Sequence, residues 1–368
     1  MDKELARREV VAAGKMLVET GLIARTWGNV SCRIDSGYFA VTPSGLAYET
    51  MRPEDVVIVN MADLSYEGRL KPSSEKGIHA GLYRQLPYIN FVIHTHQANA
   101  SAAAVLGEDV EILAPENRKI IGEKAASAAY GLPGTKKLQK NVVKALSRST
   151  GRALLMANHG ALCFDENRDG AFAAARALEN ECRRFLPPFP PPPAGKPAES
   201  RREGESMVFQ DSGGEIRVSL SSGAGGLSPE GRLHLAVYRA RRDIACIIGS
   251  LGPYTFRASL ECGILMPLLD DFAQIVGFDT AVFDGENDGG SIVRALRGRN
   301  AVLLKGRGAL CCAGSREDAV AVAMVLEKNS LAYFTAATRG PVKPISPLDC
   351  RLMRFVYLSR YAKKARKR

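Results

Sequence analysis

Two histidines one residue apart, His94 and His96, close the run Asn-Phe-Val-Ile-His-Thr-His at 90–96, in a chain with only five histidines among 368 residues. An apolar run rich in β-branched residues reads as a buried strand, where side chains at i and i+2 share a face. Both imidazoles then reach one place. A third histidine, His159, ends a second apolar run, Ala-Leu-Leu-Met-Ala-Asn-His-Gly at 153–160. Three neutral imidazoles leave zinc its full divalent charge and an open coordination position, the arrangement of a catalytic centre. Upstream, Glu75 opens a predicted helix after Ser73 and Ser74. A mixed Glu/His set suits zinc better than calcium or magnesium. A lone His-x-His is more often a hydrogen-bonded structural pair; the third histidine before a glycine turns the reading toward a metal. No Cys-x-x-Cys occurs, which argues against a zinc ribbon or finger.

Three short segments are suited to cradling an oxyanion: Thr-Trp-Gly-Asn-Val-Ser at 26–31, Thr-Pro-Ser-Gly at 42–45 and Ser-Ser-Glu at 73–75. The first two combine small polar side chains with glycine and leave backbone N–H groups exposed. In the third, Ser73 and Ser74 stand at a helix N-terminus, a favourable place for phosphate. Each alone is an ordinary turn; their joint presence beside a metal set points to an anion site.

These residues need a frame of alternating helices and strands. The pattern predicts helices over 3–20, from 75 to before Pro87, from 98, from 134 to 147 and over 167–185. Strands are predicted at 30–34, 38–42, 56–60, 90–96, 110–113, 153–157 and 161–164. The result is a layered α/β domain with a largely antiparallel sheet. A proline-rich segment at 186–197 followed by a charged stretch reads as a linker at 187–205. It divides the chain into a first domain at 1–186, a second at 206–342 and a basic tail at 343–368.

The two domains are related. Glu75, His79, Tyr83 and Arg84 recur at one offset as Glu230, His234, Tyr238 and Arg239, and Gly-Ala-Leu-Cys at 160–163 recurs at 308–311. At those offsets His94 becomes Gly249, His96 becomes Leu251 and His159 becomes Arg307. The second copy should therefore bind no zinc. Its shortened front lacks the first two anion segments, so the anion site should be lost with the metal. His79, kept as His234 where no triad exists, reads as a structural histidine. Glu75, kept as Glu230, can serve its helix N-terminus as well as a metal.

Composition narrows the class. No apolar run is long enough to span a membrane, and the charged start at 1–9 is no secretory signal. Scattered cysteines, two of them (Cys163 and Cys311) inside apolar runs, read as reduced core residues of a cytoplasmic protein. The net charge of +11 comes partly from the run at 360–368. Such a run can bind nucleic acid or an anionic membrane. With no nucleic-acid motif beside it, it reads as a solvated, frayed end, and neither nucleic acid nor membrane is expected as a partner.

Taken in order, Gly28-Asn29-Val-Ser, Thr42-Pro-Ser-Gly45, Arg52-Pro-Glu-Asp-Val-Val, Ser73-Ser-Glu75, His94-Thr-His96 and Asn158-His159-Gly160 resemble the class II aldolase/adducin family across the whole first domain. The second domain looks like a degenerate copy. The resemblance, nearest to L-fuculose-phosphate aldolase, implies a layered α/β/α fold, tandemly duplicated. It implies one zinc per chain held by His94, His96, His159 and Glu75 in the first domain only. It implies substrate phosphate on Gly28, Asn29, Thr42, Ser44, Gly45, Ser73 and Ser74. Tyr130, before Gly-Leu-Pro-Gly-Thr, matches a proton-donating tyrosine that comes from a neighbouring subunit, and Glu75 matches the general base. The implied reaction is reversible cleavage of a ketose phosphate to dihydroxyacetone phosphate and an aldehyde through a metal-stabilised enediolate. Within the family the same metal set serves epimerases, which typically carry aspartate for the glutamate, and dehydratases. A non-catalytic adducin-like scaffold is the alternative from another class. The family's four-fold rings imply a homo-oligomer, here a pseudo-fourfold dimer.

Overall fold

The computed structural model describes residues 1–23, 27–188, 191, 195–285 and 288–361; Thr26 of the first anion segment lies outside them. The chain divides into two compact units, Met1–Leu186 and Pro187–Arg368.

The first unit runs α1 (Lys3–Glu19), β1 (Asn29–Arg33), β2 (Tyr38–Val41), β3 (Val57–Asn60), β4 (Tyr66–Glu67), α2 (Lys76–Gln85), β5 (Phe91–Thr95), α3 (Ala98–Ala104), β6 (Val110–Glu111), α4 (Pro115–Ile121), β7 (Lys124–Ala128), α5 (Lys136–Leu146), β8 (Ala153–Met156), β9 (Gly160–Asp165) and α6 (Arg168–Cys182). The strands form one sheet in the order β4-β3-β2-β1-β5-β9-β8-β7-β6. Only β7 and β8 pair in parallel. Strand alternation sends Val30, Cys32, Phe91 and Ile93 to one face, against α1, α3 and α6. It sends Phe39, Val41, Val57 and Val92 to the other, against α2 and α5. The unit is thus an α/β/α sandwich. Side-chain caps start its helices: Asp2 accepts from Leu5 N at 2.8 Å and Asn167 from Gly170 N at 2.9 Å.

The second unit runs β10 (Glu199–Glu203), β11 (Ser206–Asp211), β12 (Gly214–Ser219), α7 (Pro229–Ala240), β13 (Cys246–Ser250), α8 (Pro253–Glu261), β14 (Ile264–Leu265), a π-turn at Phe272–Val276, β15 (Thr280–Phe283), α9 (Gly289–Ala295), β16 (Ala301–Leu304), β17 (Gly308–Ala313), α10 (Arg316–Ala337) and α11 (Pro347–Val356). Its sheet order, β12-β11-β10-β13-β17-β16-β15-β14, repeats the first without a counterpart of β4. The one parallel pair, β15 with β16, stands where β7 meets β8.

Two boundaries differ from the sequence reading. β10 lies inside the stretch read as linker. Despite its charged composition it pairs on both sides, with β11 and β13, and turns Ser200 inward. The stretch read as a frayed tail contains α11, which buries Cys350 and Met353 and ties Arg354 Nη1 to Gln274 O and Ile275 O, both at 2.7 Å. In the first unit, β4, α4 and β7 had no predicted counterpart. All eight cysteines are buried and none forms a disulfide. Among the described residues, no helix is long and apolar enough to cross a membrane.

Candidate active site

β5 carries His94 on the face of Val92, the face covered by α2 and α5, and His96 follows two residues on. His159 reaches the same place from the turn between β8 and β9. In that turn Asn158 takes a left-handed φ of 60° and His159 N donates to Met156 O at 3.0 Å. Gly160 keeps the turn close to β5: a Cβ there would lie 2.3 Å from Thr95 O and 3.4 Å from His94 Nε2. The three rings converge, with centroids 4.7–4.9 Å apart. One nitrogen from each lies within 4.8 Å of the others, and all three residues are buried. Among the described residues no other set of histidine, cysteine or acidic side chains gathers in this way. His94 Nε2 is buried without a hydrogen-bond partner, as a nitrogen kept for a metal would be. The donor set fits a borderline divalent ion.

Glu75, at the start of α2, places Oε2 2.7 Å from His94 Nδ1 and Oε1 3.2 Å from His159 Nε2. Burial pushes its carboxyl up, but His94 and His159 outweigh burial and hold it well below the usual range. Burial likewise drives His94 down to about 4, against the pull of Glu75. Glu75 therefore rests as a carboxylate beside a neutral His94, the protonation state in which both can bind a metal.

Asn29 takes a position not read from the sequence. Its Nδ2 donates to Glu75 Oε2 at 2.9 Å and lies 3.2 Å from His94 Nδ1. Its Oδ1 contacts His79 Nε2. His79 is neutral, pushed to about 3 mainly by burial. Its Nδ1 lies 2.6 Å from Ser31 Oγ, which in turn lies 2.7 Å from Tyr83 Oη. A chain of bonds thus links the α2–β1 packing to the carboxylate.

The anion segments meet beside Glu75. Thr42 Oγ1 accepts from Val30 N at 3.2 Å, Ser73 N donates to Thr42 O at 3.0 Å, and Ser44 N to Lys71 O at 2.9 Å. Ser73 Oγ accepts Glu75 N at 3.2 Å. Gly28 and Gly45 adopt φ of 124° and 73°. A Cβ on Gly28 would lie 2.6 Å from His94 O, and one on Gly134 would lie 3.1 Å from Ser74 Cβ. Tyr48, also missed in the sequence, donates to Gly28 O at 2.8 Å and pins the first segment. Tyr130 stands half-buried between β7 and α5, its carbonyl accepting from Asn141 Nδ2 at 3.1 Å.

The match to known families now decides the matter: the class II aldolase and adducin N-terminal domain fits residues 8–186 and again 193–333. The chain belongs to this family and carries its domain twice. The chain is 37% identical over 177 residues to a 5-deoxy-D-ribulose 1-phosphate aldolase of Bacillus thuringiensis, covering 47% of this chain and 80% of that protein. It is 35% identical over 153 residues to an L-ribulose-5-phosphate 4-epimerase of Salmonella typhi, covering 40% of this chain and 63% of that one. Among solved structures, an L-fuculose 1-phosphate aldolase matches at 31% identity and a TM-score of 0.46, over 49% of this chain and 84% of that one.

The second family domain keeps the frame around an altered centre. Ser200 Oγ lies 2.8 Å from His234 Nδ1 and 3.1 Å from Tyr238 Oη, repeating Ser31, His79 and Tyr83. Gly306 holds the left-handed φ of Asn158, at 65°. Asn29 is matched by Ala198, and His234 Nε2 is buried without a hydrogen-bond partner. Where the first domain's 42–45 loop leaves β2, β11 returns directly into β12, pairing Asp211 with Gly214.

Proposed function

We propose that the chain is a zinc-dependent aldolase-type lyase acting on a ketose phosphate in the first domain, with a product pair of dihydroxyacetone phosphate and an aldehyde. One observation carries the reading: three buried histidines and a deprotonated glutamate converge beside a hydrogen-bonded cluster of hydroxyl- and glycine-rich loops. His94, His96, His159 and Glu75 would hold the ion, and bound zinc supplies Lewis-acid polarisation of a carbonyl.

In this reading the chain's own groups do the rest. Glu75, held as carboxylate, takes the proton from the substrate carbon or hydroxyl. Ser44, Gly45, Ser73 and Ser74, with Gly28 and Thr42, hold the phosphate, so binding energy from a group that does not react fixes the reacting carbon. The Asn29 side chain, given to phosphate in the sequence reading, is assigned here to Glu75 and His79. Tyr130 delivers the proton to the aldehyde oxygen, from a neighbouring copy in a dimer of two-domain chains. The epimerase relative supports pentulose-phosphate epimerisation as the second reading; glutamate at position 75 favours the aldolase.

The test is metal content of the purified chain beside a His94→Ala/His96→Ala variant, followed by a panel of ketose phosphates assayed for aldehyde release. One zinc per chain, lost in the variant, with aldehyde released from one member of the panel supports the reading. Absence of metal after reconstitution refutes it in favour of a scaffold. Epimerised product without aldehyde selects the second reading.

A further inference from the structure

α11 presents apolar side chains on both faces, burying Cys350 and Met353 on the inner one. Its inner face buries an arginine: Arg354 sits against the π-turn at Phe272–Val276, and Ser346 caps the start by accepting Asp349 N at 3.1 Å. Its outer face shows Leu348, Leu352 and Phe355, exposed by 75, 48 and 69%, and Leu358 continues the row at 46%. The spacing i, i+4, i+7 puts the first three on one stripe, and Arg351 is exposed beside them. Three leucines and a phenylalanine in a single outward row are more than the scattered apolar residues normal on a surface. Ile345 N, bonded to Pro267 O at 2.9 Å, and Arg354 fix the helix to its unit, so the row is held outward.

A second observation says what the row faces. The sequence leads from Leu358 into Arg360, Lys363, Lys364, Arg366, Lys367 and Arg368, and no acidic residue follows Asp349. An apolar helix stripe flanked by a cationic run is the pattern of helices that lie in the headgroup region of anionic membranes. Nucleic acid would use the charge and leave the apolar row in water. A second copy of the chain would cover the row but, at a net charge of +11, bring a like-charged molecule to the cationic run. We propose that α11 and the basic run dock the chain on an anionic lipid surface, Phe355 and the leucines entering the headgroup region and the lysines and arginines meeting lipid phosphate and carboxylate. The inference is independent of the catalytic reading.

The experiment uses the full chain in co-sedimentation with vesicles of phosphatidylcholine alone and of phosphatidylcholine mixed equally with phosphatidylserine. The expected result is binding to the mixed vesicles about tenfold or more tighter than to the neutral ones, weakened by salt. Phe355→Glu, an outward change that should leave the unfolding midpoint at the parent value, lowers that binding about tenfold or more. Replacing Lys363, Lys364, Arg366 and Lys367 by alanine removes the preference for anionic vesicles. Equal binding to both vesicles, no binding, or a Phe355→Glu chain that binds like the parent overturns the proposal. So does a drop in molar mass of Phe355→Glu by light scattering with no vesicle binding in the parent, which would make the row a self-association face. Retention on heparin that Phe355→Glu leaves unchanged, with no vesicle binding, overturns it in favour of nucleic acid.

Discussion

Replacing Asn29 by alanine recreates in the first domain what Ala198 already is in the second. The protons in this network can be placed. His79 is neutral, and its Nε2 faces the Oδ1 of Asn29, an acceptor, so Nε2 carries the hydrogen. Nδ1 then accepts from Ser31, and Tyr83 donates to Ser31. This orients the amide, so Nδ2 must give its hydrogen to Glu75 Oε2. Asn29→Ala removes a hydrogen bond to a charged group, worth about 1.5–3 kcal/mol, and leaves a buried N–H on His79 at a further cost of about 1–3 kcal/mol. His234 shows that such an orphan is tolerated, so the domain should fold with about 2.5–6 kcal/mol less stability. Loss of a partner that orients a ligand should weaken zinc binding about 10–100-fold. Competition with a chelating dye reads the affinity, urea unfolding the stability, and inorganic phosphate competition the anion site. Asn29→Asp separates donor from acceptor: it keeps the contact with His79 but sets a second carboxyl against Glu75. It should damage zinc binding at least as much as alanine. Parent-like affinity in Asn29→Asp, or loss of phosphate binding with zinc affinity intact, would refute the assignment and return Asn29 to the phosphate.

Three further outcomes are expected. Glu75→Gln should abolish turnover while largely keeping phosphate binding, and full activity in that variant would remove Glu75 from the chemistry. Gly28→Ala forces a Cβ to within 2.6 Å of His94 O at a φ of 124°, so it should cost about 1–3 kcal/mol in urea unfolding and displace His94 enough to lower metal content; a variant matching the parent in both would contradict the close approach. Burial sets His234 at about 3 against an ordinary value of 6.5, so acid protonates the unfolded chain first. Stability from this group is present above pH 6.5 and lost as pH falls from 6.5 toward 3, by up to about 1.4 kcal/mol per pH unit; urea midpoints measured across that range should fall less steeply in His234→Gln, and equal slopes would exclude the histidine as the cause.

The convergence of the three histidines was legible in the sequence because its geometry is local: His94 and His96 obey the strand period, and His159 precedes a glycine that a close strand contact demands. The duplication was legible because the histidine and tyrosine of α2 recur in α7 at one offset. What escaped depends on partners distant in sequence. β7, Lys-Ala-Ala-Ser-Ala, has little strand propensity of its own and is a strand through its pairing with β8 and β6. β10 reads as a charged linker, since only Ser200 of its five residues turns fully inward. α11 hid behind a basic composition, because its buried Cys350 and Met353 are interleaved with a buried arginine and an exposed apolar row. Asn29 looked like a loop amide, and nothing in Gly-Asn announces a bond to a glutamate 46 residues away.

The second domain separates frame from chemistry. Features that recur are those that hold elements together. Arg33 bonds to the carbonyls of Ile89, Tyr83 and Leu86, and Arg202 to those of Ile244, Tyr238 and Arg241. Glu179 caps the start of α3 through Asn99 N and Ala100 N, and Glu327 caps α8 through Tyr254 N and Thr255 N. Features that do not recur, Asn29 and the three histidines, belong to one place. Apart from β4 and the 42–45 loop, the frame of the second domain is kept while the histidine cluster is absent. Glu230 completes the argument. It keeps the position of Glu75 without the histidines, and burial raises its carboxyl against the opposing charge of Arg307. The same side chain is held ionised in one copy and pushed toward its neutral form in the other. The low carboxyl of Glu75 is therefore made by His94 and His159 and not by the fold.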